Sequence, residues 1–299
     1  MQMRASVENQ EQLEAVLGTA TELIYIDCGF FPPETWGEIC ESAHRAGQRI
    51  GLRLPHIFRE KAAQYLEGFR DSLLRASFDA FLIRNMEELA WLSESGMLRE
   101  LCKEKMPELI SDYTMYAFNR EAETCLGLIF REAEELASGM NTAETRKQPG
   151  ETSENIPGSF TETLPLELNR RELAALCRDG LQKTREFVVY GRAPMMVSAQ
   201  CIRKTMKSCD KKGCVMQLRD RKGMRLPVKN NCCFCYNTIL NAQPTVLYDL
   251  EKELSELEPV FRRYEFTTES GREVKEILNG KRIFQSNEFT RGHFRRGVE

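Results

Sequence analysis

The sequence predicts an α/β fold: a (β/α)8 TIM-like barrel, a single domain over residues 1–299, with a cysteine-rich insertion between the sixth and seventh strands. Three observations lead there. Short apolar runs alternate with helix-patterned stretches, which specifies a parallel sheet. The alternation supplies eight strand-then-helix units, the number that closes a barrel in about 250 residues. No glycine-rich phosphate turn follows Cys28, as an open dinucleotide-binding sheet would carry after its first strand.

The strand candidates are residues 23–28, 49–54, 78–83, 109–116, 164–168, 186–190, 245–248 and 261–266. Helix patterns follow most of them, at residues 33–46, 58–74, 119–136, 170–181 and 270–278. Asn119 and Asn169 stand where a helix needs an N-cap acceptor. Two segments interrupt the alternation. Residues 138–163 are rich in Ser, Thr, Glu, Gly and Pro, and read as a flexible polar loop. Residues 201–244 hold six cysteines and a hairpin, VMQLRD and MRLPV, turning at Lys222-Gly223.

A formal charge of -3 gives no global field toward nucleic acid or an anionic membrane. No apolar run reaches the roughly 18 residues of a membrane span. The first residues lack an apolar signal core, so the reading is a cytoplasmic protein without a membrane partner. Eleven cysteines, an odd number, do not suggest a disulfide framework in that compartment.

Cys201, Cys209, Cys214, Cys232, Cys233 and Cys235 fall together. A Cys-x-x-Cys pair such as Cys232 and Cys235 brings two thiolates to one metal, and a distant pair can complete four ligands. On spacing alone zinc and an iron–sulfur cluster are equally supported. From Cys201 to Cys235 ten Lys or Arg face two Asp, a local balance of +8. On a metal site, such charge points to an anionic substrate, either RNA or a small carboxylate.

Several motifs resemble the U-thirty-two peptidase family, the collagenase-like proteases. Its signature runs Glu-x-Phe-x-x-Gly, a small residue, an aliphatic residue, Cys, four residues, Gly-x-Cys. Glu186 and Gly191 occupy the Glu and first Gly positions, and Cys201 the final Cys. Val188, Arg192, Pro194 and Ala199 depart from the signature. Longer members carry segments similar to GRAPMMVSAQC, RDRKGMRLPVKNNC, LPLELN, LRLPHIFR and TRGHFRRGVE. The resemblance is to their carboxy-terminal barrel, and it implies a possible partner chain supplying the preceding half. It also implies a barrel fold and a four-iron four-sulfur cluster, favouring the cluster over zinc. The ligands expected are Cys201, Cys209, Cys232 and Cys235. Members of the family include oxygen-independent hydroxylases of tRNA, rRNA or a quinone precursor, with prephenate implicated as hydroxyl source for RNA. Hydroxylation of RNA or a small molecule is therefore the leading expectation. A collagenase-like peptidase and a non-catalytic truncated binding module are the alternatives.

No HExxH or G-x-S-x-G motif supports proteolysis. A barrel places its chemistry at the strand C-termini, which would present Asp27, His56, Arg84, Asn85, Asn119, Glu167, Tyr190 and Asp249. Glu167, inside the apolar stretch LPLEL, is the candidate general acid or base. Arg84 is the candidate carboxylate clamp, and His56 completes the catalytic set. Lys204, Lys207, Lys211 and Lys212 are the candidate anion-binding residues.

Overall fold

The computed structural model describes residues 2–139, 161–178, 184–257, 260–281 and 283–296. Its centre is a closed barrel of eight parallel strands. These are β1 (Met3–Val7), β2 (Thr21–Asp27), β3 (Arg49–Arg53), β4 (Ala80–Ile83), β5 (Glu108–Ser111), β6 (Thr161–Thr163), β7 (Thr184–Gly191) and the last strand, β13 (Val260–Glu265). β13 pairs with both β7 and β1, which closes the ring. Among the described residues no helix is long and apolar enough to cross a membrane.

β2 to β5, β7 and β13 lie on expected apolar runs. β1 was not expected, and β6 falls inside the stretch read as a polar loop; residues 140–160 of that stretch lie outside the described residues. The run at 164–168 is not a strand but the loop leading to the helix Arg170–Cys177. The run at 245–248 yields only β12 (Thr245–Val246), an antiparallel edge on β7. Its apolar side chains are buried, so the run reflects packing rather than pairing.

The barrel interior explains the two missed strands. Residues of β2, β4 and β5 form a small apolar cluster of Leu23, Tyr25, Ala80, Leu82 and Ile110. Gly51 of β3 makes room for it, since a Cβ there would sit 3.0 Å from the Tyr25 ring and 3.2 Å from Ala80 O. The rest of the lumen is polar. Glu186 accepts from Tyr25 Oη at 2.9 Å, Arg4 at 3.2 Å, Arg263 at 2.5 Å and Thr163 Oγ1 at 2.7 Å. A carboxylate this deep persists because its oxygens are paired with cations and donors. Arg4 and Ser6 of β1, and Thr161 and Thr163 of β6, are therefore buried polar residues, and their strands show no apolar run.

Between β7 and β13 the chain forms a second, antiparallel sheet in the order β8 (Pro194–Ser198), β11 (Tyr236–Leu240), β10 (Arg225–Asn231), β9 (Val215–Arg219). It follows the seventh barrel strand, not the sixth as expected, because β1 moves the count by one. The β9–β10 hairpin turns where Asp220 Oδ1 accepts from the backbone of Lys222 at 2.8 Å and Met224 at 2.7 Å. Asn119 and Asn169 both cap helices through side-chain acceptors.

Candidate functional site

Alternation along the parallel strands aims one side chain per strand end into the barrel mouth. Glu8, Asp27, Arg53, Arg84, Asp112 and Glu265 arrive this way, all buried. Arg53 donates to Asp27 Oδ2 at 2.9 and 3.1 Å and to Glu8 at 2.5 Å. Arg263 reaches up from the lumen to Asp112 at 2.5 Å and Glu265 at 3.0 Å. Burial, the largest influence on Asp27, works against its charge, yet Arg53, Lys229 and Arg84 outweigh it and hold the carboxyl down at about 2. Glu265 moves the other way: burial first, then Asp112 and Glu8, raises it against the pull of Arg263 and Arg53.

The second sheet covers this mouth. Lys229 of β10 pairs with Glu8 and stands 4.0 Å from Asp27, its ammonium 4.9 Å from the Phe30 ring centre. Tyr236 of β11 accepts through Oη from the His56 backbone N–H at 3.1 Å. Phe234 packs edge-on to Tyr65 at 5.3 Å. Sequence reasoning counted Lys229 only as one of the ten cations between Cys201 and Cys235. Its alternation with Asn231 and Pro227 on β10 carries no sign of which face meets the barrel.

Arg84 is buried, donates to Leu54 O, and has no hydrogen-bond partner for Nε. His56 is half-buried, and burial followed by Arg84 pulls its imidazole down to about 4, so the ring is neutral near neutral pH. Behind them Glu88 accepts from Arg84 N at 2.6 Å and Asn85 Nδ2 at 2.9 Å, and burial pushes its carboxyl up to about 8. Arg84 and His56 thus belong to one neighbourhood. Glu167 does not join it through any described contact. It sits half-buried in the loop after β6, with Oε2 unpartnered, rather than in a strand.

All eleven cysteines are free thiols. Cys232 lies in the field of Cys209, Cys201 and Cys214, and burial together with those neighbours pushes it up to about 11. Cys201 and Cys235 line a pocket of about 530 Å³ with Ala199, Gln200, Lys204 and Thr205. Cys214 Sγ receives Arg203 and Asn230, each at 3.4 Å. Cys233 turns toward the barrel, its thiol 3.6 Å from Gly29 O. Among the described residues no set of three or more His, Cys, Asp or Glu stands close enough to hold a metal. The donor chemistry nevertheless suits a thiolate-bound group: soft sulfur ligands, none consumed by a disulfide.

No family model matches this chain, and neither does any curated protein.

Lys207, Lys211 and Lys212 are exposed on the loop that carries Cys209, and Lys204 is exposed on the short helix Ile202–Thr205 before it. The geometry therefore joins three things: a polar barrel mouth, a sheet inserted into it, and a thiol group edged by cations. Glu8, Arg53, Asp112, Glu265 and Lys229 were missed. Arg53 and Asp112 lie inside the expected runs 49–54 and 109–116, and period-two alternation from Gly51 and Ile110 would have aimed them inward.

Proposed function

We propose that this chain is an iron–sulfur enzyme of the type its motifs resemble, an oxygen-independent hydroxylase acting on an anionic substrate, with RNA the leading class. One observation carries the reading. The sheet that bears the thiols also inserts Lys229 and Tyr236 among the strand-end charges, so the two candidate centres adjoin. Cys201, Cys209, Cys232 and Cys235 would hold a four-iron four-sulfur cluster, which supplies one-electron chemistry when bound. A single zinc on the same thiols is the competing occupant.

The chain's own residues have separable roles in this reading. Lys204, Lys207, Lys211 and Lys212 attract the substrate anion. Arg84, with a guanidinium nitrogen free of protein partners, binds a carboxylate or phosphate oxygen near the mouth. Neutral His56 donates or accepts a hydrogen bond there without adding charge. The second sheet keeps water from the strand ends.

RNA binding measured from about 50 to 200 mM salt tests the substrate class, since several phosphate contacts lose about a thousandfold over that range. The Lys207→Glu, Lys211→Glu double variant should bind weakly with a shallower salt slope. No binding at low salt, or binding indifferent to that variant, removes RNA as the ligand of this face. RNA modification profiles from cells with and without the gene then test the reaction, and identical profiles argue against it.

A further inference from the structure

We infer that Lys61, on a barrel helix, tunes the thiol site through space: its ammonium donates to Cys235 and raises the reduction potential of the group those thiolates hold. The inference rests on the cluster reading and adds to it a residue outside the cysteine-rich segment. Lys61 Nζ lies 3.0 Å from Cys235 Sγ, across 174 positions of sequence. The contact is built rather than casual. Lys61 belongs to the helix Glu60–Gly68, and Tyr65 follows it by one helical turn on the same face. Tyr65 packs edge-on to Phe234 at 5.3 Å. Two residues of one helix face therefore grip the turn Cys232–Cys235 at consecutive points. Cys235 has a left-handed backbone conformation, φ 58°, which sets the direction of its Cα–Cβ bond.

The sign follows from electrostatics. Reduction adds negative charge to a thiolate-bound cluster, and a nearby cation or hydrogen bond to sulfur stabilises the reduced form more than the oxidised one. Removing the ammonium lowers the potential. Restoring a cation restores it.

The test is a potentiometric titration followed by electron paramagnetic resonance, on anaerobically reconstituted full-length protein, for wild type, Lys61→Met, Lys61→Arg and Tyr65→Phe. Lys61→Met should shift the midpoint to lower potential, Lys61→Arg should stay near wild type, and Tyr65→Phe should move less than Lys61→Met. Loss of the cluster in Lys61→Met with retention in Lys61→Arg overturns the inference, assigning the charge to holding the cluster rather than to setting its potential. A loaded Lys61→Met protein with the wild-type midpoint overturns the inference and leaves the cluster reading standing. Cluster loss in both Lys61 variants overturns it as well, assigning the residue to folding. Wild-type protein that takes up no iron and sulfide overturns both.

Discussion

Lys229→Met keeps the side-chain length and removes the ammonium that ties the second sheet to the barrel. Glu8 loses its contact with Lys229, and Asp27 loses a cation 4.0 Å away. Both carboxylates stay buried, with Arg53 at 2.5 Å from Glu8 and 2.9 Å from Asp27. Breaking a buried ion pair by removing one partner typically costs about 3–5 kcal/mol. Arg53 still compensates both acids, and burial already disfavours the charged form of Lys229. The expected loss is therefore at the low end, about 3 kcal/mol. Urea unfolding reads it as a fall in midpoint at unchanged slope. Adding Glu8→Gln removes the stranded charge, so the double variant should be more stable than the sum of the singles by about 1 kcal/mol or more. A loss under about 0.5 kcal/mol, the level of an ordinary surface change, or strict additivity, refutes the buried latch.

Three further outcomes are expected. Burial raises Glu88 from 4.5 to about 8, so its stabilising contribution is full below about pH 4.5 and is lost as pH rises through 8; Glu88→Gln should flatten that decline in urea stability, and an unchanged pH profile contradicts it. Gly191 has φ 153°, and a Cβ there would meet Glu265 Cβ at 2.8 Å; Gly191→Ala should cost about 2 kcal/mol in thermal unfolding, and a neutral result means the β7–β13 contact yields easily. Serine at Cys201, Cys209, Cys232 or Cys235 should abolish cluster loading, while Cys233→Ser should retain it because that thiol faces Gly29 O. Loading lost in Cys214→Ser but kept in Cys209→Ser would exchange those two ligands.

β2 was legible because both of its faces are apolar. Ile24 and Ile26 of β2 belong to the large apolar core, while Leu23 and Tyr25 of the same strand fill the lumen, so the run reads apolar throughout. β1 and β6 face the same lumen where it holds the Glu186–Arg263–Arg4 pairs, and their inward residues are Arg4, Ser6, Thr161 and Thr163. A period-two pattern of that kind resembles an exposed segment until its partners across the barrel are known. The cysteine group was legible from density alone, as was the hairpin at Lys222-Gly223. Lys229 and Lys61 were not, because burial of one and the thiol contact of the other depend on how the second sheet meets the barrel. Glu167 was expected within a strand because its apolar neighbours were taken as one, and it lies in the loop after β6. Leu164 is buried, but the chain there already runs toward the Asn169 cap.

The measurement that bears most directly on the account is the metal and acid-labile sulfide content of the protein purified without oxygen. The account expects about four iron and about four sulfide per chain, with the broad visible absorption of iron–sulfide charge transfer. One zinc per chain with no sulfide would contradict it and assign the thiols to a structural metal site.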